Sequence, residues 1–234
     1  MRVGIMQPYF FPYIGYLQLM SAVDEFVVYD NIEYTKKGWI NRNRILVSDK
    51  DEYISLPLKK DSDYLQVKER FLADTWKSDR KKMLNRISAS YRKAPFYKEA
   101  YSFIESVLMY ENMNLFEFIL HSIKAQKEYF EISCSIIVSS DIPSHEALRA
   151  EDKVIEICRQ RKADTYFNAI GGMELYDANN FKAAGIDLHF IKMHPFVYKQ
   201  FNDAFIPFMS IIDVMMFNEK VVIKDFIKTG YTLI

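Results

Sequence analysis

The sequence predicts an α/β protein with a doubly wound, mostly parallel sheet of five strands, a β-hairpin extension and a helical insertion. Short apolar runs alternate with stretches whose apolar residues recur at helical spacing, which is typical of α/β proteins. Most of these runs end in polar residues or glycine, as strands that lead into loops do. Hydrophobic residues make up 50% of the 234 residues, so we expect residues 1–234 to bury a sizeable core as a single domain.

The first thirty residues predict one strand–helix–strand unit. The apolar residues 3–6 stop at Gln7-Pro8, and a central strand is expected to end there because proline has no N–H to donate to the sheet. Pro12 then precedes apolar residues at helical spacing, and a second apolar run follows at residues 26–29. We expect two parallel strands with a right-handed helical connection.

Residues 40–47 and 53–58 predict a β-hairpin with a turn at residues 48–51. One face of its first strand carries two arginines, which are rarely buried without partners. The hairpin is therefore expected to extend from the edge of the protein. A third short strand is expected at residues 65–67 and is expected to pair with the hairpin.

Residues 75–131 predict three helices, which we interpret as a helical insertion between strands. Ala94-Pro95 separates the first helix from the second. Asn114, followed three residues later by Glu117, resembles a helix start. The second helix is rich in tyrosine, and it fits packing either inside the protein or against a second copy in a homodimer.

The alternation of strands and helices resumes after residue 131. Strands are expected near residues 135–138, 165–168 and 187–193, and helices at residues 147–161, 177–184 and 209–217, with a last helix that follows a break at Asn218 and runs into Gly230. Gly185 is suited to end the helix at residues 177–184, because glycine readily adopts the left-handed conformation that follows many helices.

Composition and charge argue against two classes of partner. Lysine plus arginine and aspartate plus glutamate are 31 each, so the formal net charge of zero does not suit a protein that binds nucleic acid through a strong positive field. No apolar run is long enough to span a bilayer, and prolines interrupt the N-terminal run that resembles a signal peptide.

Cys134 and Cys158 lack metal-ligand spacing and are expected to be buried and reduced, so a cytoplasmic location is expected.

Polar residues and glycine follow nearly every predicted strand of the sheet. Because the carboxyl ends of parallel strands meet at one edge, these residues are expected to line one ligand crevice. They are Gln7, Asp30, Asn31, Ser139, Ser140, Asn168, Gly171, Gly172, Lys192 and His194, with Tyr9 in the loop after the first strand.

His194 is the candidate general base of this crevice, because it lies in a loop after a strand. Gly171-Gly172 precede a helical stretch, where their backbone N–H groups are suited to bind an anionic group. A tight turn between strand and helix accounts for the two glycines equally well. His189 is expected to be a core residue, and His121 and His145 show no partner. The four histidines lack metal-ligand spacing, so no metal site is expected, and no cofactor is indicated.

The densest cluster of polar and basic residues lies between residues 34 and 44. It consists of Tyr34, Lys36, Lys37, Trp39, Asn41, Arg42, Asn43 and Arg44. Cations and amides around a tryptophan suit a phosphate or diphosphate with a stacked base or sugar. A charged hairpin edge that deters pairing between molecules is the alternative. Asn41 and Asn43 favour ligand binding, because a plain edge strand would carry residues such as Thr and Val.

Five stretches resemble the WbqC-like family: MQPYFFPYIGYLQL at residues 6–19, VDEFVVYDNIEYTKKGWINRNRI at residues 23–45, TYFNAIGGMELYD at residues 165–177, FKAAGIDLHFI at residues 181–191 and FIPFMSIIDVMMFN at residues 205–218. The resemblance extends over essentially the whole chain. That family is associated with gene clusters for O-antigen and other surface polysaccharides, so the resemblance implies a role in making or modifying a sugar precursor. It implies no particular catalytic residues.

Residues 11–17 also resemble the His-x-Gly-His motif of adenylyl- and cytidylyltransferases. Tyr13 and Tyr16 stand where that motif has histidines, with Gly15 between them. A tyrosine hydroxyl is neutral at pH 7, so it can donate a hydrogen bond to a reacting group but supplies no cation. Tyr13 and Tyr16 are thus candidate catalytic residues, and the resemblance implies the architecture rather than nucleotidyl transfer.

Three functions are consistent with these observations. The first is a cytoplasmic enzyme of surface-polysaccharide precursor biosynthesis that transfers an acyl or aminoacyl group to the amino sugar of a nucleotide-linked sugar. In this hypothesis His194 is the general base, Lys36, Lys37 and Arg42 hold the diphosphate, and Gly171-Gly172 hold a second anionic group. The second is a nucleotidyltransferase or adenylate-forming ligase. The third is a non-catalytic partner that scaffolds other polysaccharide enzymes.

Overall fold

The computed structural model describes residues 1–143 and 147–234 and contains strands and helices in alternation. The strands are β1 Arg2–Met6, β2 Glu25–Val28, β3 Arg42–Val47, β4 Lys50–Ser55, β5 Ser135–Val138, β6 Thr165–Ala169, β7 Asp187–Met193 and β8 Tyr231–Leu233. The helices are α1 Ile14–Ala22, α2 Trp76–Tyr91, α3 Tyr97–Leu108, α4 Leu115–Tyr129, α5 Ala150–Gln160, α6 Ala178–Ala183, α7 Ile211–Phe217 and α8 Lys220–Thr229.

Six strands form the main sheet, in the order β5–β2–β1–β6–β7–β8. The first five of these are parallel to one another, as the sequence predicts. The prediction of five strands is nevertheless one short, because β8 pairs antiparallel with β7 at the edge of the sheet. Met6 lies level with Val28, and Val28 with Val138, so neighbouring strands end at the same height.

Helices pack on both faces of this sheet. Val3 and Ile5 point to one face because alternate residues of a strand share a side, and they are buried together with Val154 and Cys158 of α5. Gly4 points to the other face, where a Cβ atom would stand 3.3 Å from the side chain of Val23, just after α1. Helix α1 therefore lies close against β1.

Helix α1 is buried on nearly every side. Eight of its nine residues are buried, whereas an amphipathic surface helix would expose a polar face. The loops at its start are held by other parts of the chain: the backbone N–H of Ile211 donates to the carbonyl oxygen of Pro12 at 2.9 Å. This helix thus fixes the position of the loop that precedes it.

The hairpin of β3 and β4 forms with a tighter turn than the one predicted at residues 48–51. Ser48 and Asp49 have φ values of 46° and 63°, and positive φ at both central residues is what a two-residue hairpin turn of type I′ requires. The predicted third strand at residues 65–67 is wrong. Gln66 forms only an isolated bridge with Glu33, and a 3₁₀ helix at Val67–Glu69 follows.

The three helices predicted within residues 75–131 are confirmed as α2, α3 and α4. Asn114 caps α4 as predicted, because its side chain accepts a hydrogen bond from the backbone N–H of Glu117 at 3.1 Å. Gly185 follows α6 with a φ of 74°, which confirms its predicted place at the end of that helix. Helix α5 begins at Ala150, and His145 lies outside the described residues.

Candidate functional site

The polar residues that follow the parallel strands lie at one edge of the main sheet. Gln7 follows β1, Asn31 lies beyond the end of β2, and His194 follows β7. Neighbouring strands are about 4.8 Å apart, so the three steps from β2 to β7 separate their ends by about 14 Å. One side chain therefore cannot bridge Asn31 and His194, whereas an elongated ligand can.

A cavity of about 570 Å³ opens beyond β2, and we call it the Asn31 crevice. Its lining includes three tyrosines, an amide and two cations, namely Tyr29, Tyr64, Tyr176, Asn31, Arg149 and Lys153. Glu33 and Glu151 add two carboxylates. Aromatic faces next to cations are suited to a ligand that contains both a flat ring and a phosphate.

A network of hydrogen bonds holds Asn31 in place. The hydroxyl of Ser139 lies 2.8 Å from the side-chain oxygens of both Asp30 and Asn31. Lys153 donates to the side-chain oxygen of Asn31 at 3.1 Å and lies 5.0 Å above the ring of Tyr29. Asp30 is only 3% exposed and faces this network, so it supports the crevice from within.

The amino end of α5 also faces the Asn31 crevice. Arg149 precedes the first residue of the helix, and Lys153 follows one turn later on the same face. The first backbone N–H groups of a helix have no partner within it and carry partial positive charge. Two cations beside such an end form an environment that attracts anions.

A second, mostly apolar cavity of about 300 Å³ lies at the end of β7, and we call it the His194 cavity. Its lining includes Tyr13, His194, Phe196, Tyr198, Phe205 and Phe208. Burial raises the pKa of Tyr13, whose ring covers the first turn of α1. A Cβ atom at Gly15 would stand 2.9 Å from the Tyr13 hydroxyl, so this glycine leaves room for the ring.

Beneath the His194 cavity lies a buried carboxylate that the sequence analysis missed. Asp213 is fully buried and accepts hydrogen bonds from the hydroxyls of Tyr91 at 2.7 Å and Tyr198 at 2.6 Å, and from the amide of Gln200 at 2.9 Å. Desolvation raises the pKa of Asp213, although its three donors oppose the shift. A single acidic residue within an apolar segment was the signal that could have identified it.

Asn41 and Asn43 are both buried and hydrogen-bonded within the protein. Asn41 accepts from the hydroxyl of Tyr34 at 2.8 Å and donates to the carbonyl oxygen of Leu56 at 2.9 Å. Asn43 donates to carbonyl oxygens of the loop after β1. These bonds join the hairpin to its surroundings, and a role of either amide in ligand binding stays a prediction.

The cations of the predicted basic cluster are largely engaged within the protein. Arg42 donates to the carbonyl oxygen of Gly38 at 3.0 Å and lies 4.5 Å above the ring of Tyr53. Lys36 forms an ion pair of 2.7 Å with Asp63. Lys37 and Trp39 are exposed, and Trp39 stacks at a tilt on Tyr53 with a ring separation of 6.0 Å.

The side chain of Asn168 explains why position 172, one of the two glycines predicted to bind an anion, is occupied by glycine. Asn168 is buried, and a Cβ atom at Gly172 would stand 2.6 Å from its amide nitrogen, whereas a Cβ at Gly171 would meet no atom within 4 Å. Both glycines lie in a 3₁₀ helix at Ile170–Leu175. The carboxylate of Asp177 caps the next helix, α6.

Tyr16 and Tyr9 lie beneath the loop after β1. Tyr16 is 1% exposed, and its hydroxyl donates to the carbonyl oxygen of Gln7 at 3.0 Å. Tyr9 is half-buried, and its ring centre lies 5.6 Å from that of Tyr16. Tyr16 thus positions the loop, and its predicted part in catalysis stays a prediction.

His121, His189 and the two cysteines pack against apolar or aromatic neighbours. His189 contacts the ring edge of Phe167, and His121 stacks on Tyr110 at a ring separation of 4.0 Å. Cys134 and Cys158 are buried and unpaired as predicted, and burial raises their pKa values to about 11 and about 12.

Neither a metal site nor a membrane span emerges from the part of the chain that the structure describes. Residues 1–143 and 147–234 hold no group of three or more histidine, cysteine, aspartate or glutamate side chains arranged to bind a metal ion. Over the same ranges, every helix is too short or too polar to traverse a bilayer.

The model of the WbqC-like protein family matches residues 7–224. The chain belongs to this family. The resemblance seen in the sequence is thereby confirmed, and the matched region contains both cavities of the sheet edge. The chain is also similar to the uncharacterized protein Rv1507c of Mycobacterium tuberculosis, with 26% identity over 231 residues and 97% of each chain covered. No solved structure matches the chain.

Proposed function

We propose that this WbqC-like protein is a cytoplasmic enzyme of surface-polysaccharide precursor biosynthesis that binds a nucleotide-linked sugar at the sheet edge. One observation carries the proposal: Arg149, Lys153 and the amino end of α5 meet three tyrosines in the Asn31 crevice. The strand order supports it, because β1 has β2 on one side and β6 on the other. In a doubly wound sheet, the ligand crevice lies where the strand order reverses in this way.

The nucleotide half of the ligand fits the Asn31 crevice. The diphosphate would lie at the amino end of α5 between Arg149 and Lys153, where backbone N–H groups and two cations attract it. The tyrosine rings would pack on the base. The crevice volume of about 570 Å³ lies within the range of about 300–1,000 Å³ that is usual for small-molecule sites.

The sugar half of the ligand would extend along the strand ends towards His194. The mostly apolar His194 cavity suits the acyl chain of an activated donor, so we propose acyl transfer to an amino sugar. The sugar nitrogen forms a bond to the acyl carbon, the bond from that carbon to the donor's leaving group breaks, and the imidazole of His194 takes the proton from nitrogen. The donor supplies the leaving group.

Calorimetric titration with a panel of nucleotide-linked amino sugars tests the binding step. Arg149→Ala should weaken binding about tenfold, because one charged contact to the diphosphate is lost. Arg159→Ala is the matched control, since Arg159 is an exposed arginine at the other end of the same helix. Absence of saturable binding to every member of the panel, or equal loss in the two variants, would refute the proposal.

A further inference from the structure

A third cavity, of about 500 Å³, lies between the hairpin and the segment that follows it, and we call it the Arg70 cavity. The side chains of its lining that matter here are Tyr34, Lys36, Lys59, Lys60, Ser62 and Arg70, with the carboxylates Asp61 and Asp63. The Arg70 cavity shares no lining residue with the Asn31 crevice, whose lining includes the bridged residues Glu33 and Gln66. The Arg70 cavity is therefore a separate feature of the molecule.

Arg70 is buried, yet two of its donors lack a hydrogen-bond partner. Arg70 is 4% exposed, and its Nε and Nη2 atoms find no hydrogen-bond acceptor within residues 1–143 and 147–234. The guanidinium group lies 4.6 Å above the ring of Tyr34, which covers one face and leaves the in-plane N–H groups unsatisfied. A buried guanidinium with unmade hydrogen bonds is strongly unfavourable, so this arrangement is suited to a bound anion.

The position of Arg70 is fixed from both sides of its backbone. Its carbonyl oxygen accepts from the N–H of Leu115 at 2.9 Å, and its own N–H donates to the carbonyl oxygen of Val67 at 3.2 Å. The ring beneath it is also fixed, because the hydroxyl of Tyr34 donates to Asn41 at 2.8 Å. Burial of the side chain and its stacking on this ring restrict the guanidinium before any ligand arrives, which lowers the entropy lost on binding.

Charge in the cavity favours an anion. Four cations and two carboxylates line it; Lys36 pairs with Asp63, and Lys59 pairs with Asp74 outside the lining. Within the described ranges Lys60 and Arg70 form no ion pair. The Asp61 carboxylate accepts from the backbone N–H of Ser62 at 2.8 Å, and the Ser62 hydroxyl, which accepts from the backbone N–H of Tyr64 at 3.4 Å, belongs to a side chain of the lining and retains its own proton to donate.

We propose that the Arg70 cavity binds the phosphoryl group of a phosphorylated small molecule. The Nε and Nη2 atoms of Arg70 form a planar fork that matches two phosphate oxygens, and Lys60 is suited to the third. A carboxylate has only two oxygens and one negative charge, so it would satisfy fewer of these donors. The sequence predicts phosphate binding by Lys36, Lys37 and Arg42, whereas Arg70, whose guanidinium forms no ion pair with the described residues, belongs to a different segment.

Calorimetric titration with inorganic phosphate tests this site. We expect saturable binding to the wild-type protein, and at least about tenfold weaker binding to Arg70→Met, which keeps the side-chain volume but removes the fork. Arg80→Met is the matched control, because Arg80 is another buried arginine but is paired with Glu111 at 3.1 Å. Arg149→Ala must retain the binding, which separates this site from the Asn31 crevice.

The exposed Lys60 provides a second variant that does not depend on the buried arginine. Lys60→Ala should weaken phosphate binding by about three- to tenfold, and it decides the matter if Arg70→Met does not fold. Wild-type affinity in both Lys60→Ala and a folded Arg70→Met would overturn the proposal, and so would wild-type affinity in Lys60→Ala if Arg70→Met does not fold. Absence of saturable phosphate binding to the wild type, or tighter binding of acetate than of phosphate, would also overturn it.

Discussion

The side-chain amide of Asn43 donates a hydrogen bond of 2.8 Å to the carbonyl oxygen of Phe11, a fully buried residue with a φ of 40°. A bulky residue rarely adopts positive φ, because its side chain then crowds the backbone. The Ser210 hydroxyl donates to the same carbonyl at 2.7 Å. The hairpin and the C-terminal segment thus hold the loop that presents Tyr13 to the His194 cavity.

Removing the side-chain amide of Asn43 should therefore destabilise the fold. Asn43→Ala leaves the buried carbonyl groups of Phe10 and Phe11 with fewer donors, so the free energy of unfolding should fall by about 1–3 kcal/mol. Urea denaturation measures the change. Asn202→Ala, at an exposed position, should change it by less than about 0.5 kcal/mol, and equal effects in the two variants would contradict the structural role of Asn43.

The two adjacent glycines provide a matched pair of substitutions. Gly172→Ala places a methyl group 2.6 Å from the amide nitrogen of Asn168, so the unfolding free energy should fall by about 1–3 kcal/mol. Gly171→Ala meets no atom within 4 Å and should be nearly neutral. Thermal denaturation of both variants under the same conditions checks the order. A larger loss of stability in Gly171→Ala than in Gly172→Ala would contradict this reasoning. It would show that the contact with Asn168 is not the reason for a glycine at position 172.

The raised pKa of Asp213 predicts a pH dependence of stability. The ordinary pKa of this carboxyl is 3.8, and burial raises its pKa in the folded state. At a pH between these two pKa values, the native state therefore binds more protons than the unfolded chain. The contribution of Asp213 to stability is therefore fully present below pH 3.8 and falls as pH rises through the raised pKa.

Comparison with Asp213→Asn isolates this contribution. The unfolding free energy of the wild type minus that of Asp213→Asn should decrease from pH 3.8 upward. Asp203→Asn, which removes a carboxylate at an exposed position, serves as the control. A difference that increases with pH would mean that the three hydrogen bonds outweigh desolvation and lower the pKa.

His194 should affect the rate of acyl transfer more than sugar binding. His194→Gln removes the proposed base, so kcat should fall by about 10²- to 10⁴-fold while KM for the nucleotide-linked sugar stays the same. His189→Gln is the control, because His189 lies within β7 against Phe167. Unchanged kcat in His194→Gln would remove His194 from the mechanism, and release of pyrophosphate from a nucleoside triphosphate would favour nucleotidyl transfer instead.

The order of the main elements could be predicted from the sequence, because the signals were local. Pro8 marks the end of β1, and Gly185 the end of α6. Strand β8 was missed because three residues after a helix carry no periodicity of their own. Residues 65–67 have the composition of a strand, but Gln66 and Glu69 form a capping box that starts a 3₁₀ helix instead.

The roles of polar side chains were harder to predict, because residue type does not reveal the partner. Asn43 has the composition expected of a ligand-binding strand, yet in the structure its amide bonds to the backbone of a distant loop. Arg70 was missed because nothing in the sequence indicates that its guanidinium is buried against the ring of Tyr34 or that its Nε and Nη2 atoms find no acceptor among the described residues. Both residues depend on contacts between segments far apart in the chain.

A crystal structure of the protein with a bound nucleotide-linked amino sugar tests the central claim most directly. The account predicts diphosphate oxygens within hydrogen-bond distance of Arg149, Lys153 and the first backbone N–H groups of α5, with the sugar directed towards His194. Diphosphate bound instead at Lys36, Lys37 and Arg42 on the hairpin, or a nucleotide-linked sugar bound away from the strand ends, would contradict it.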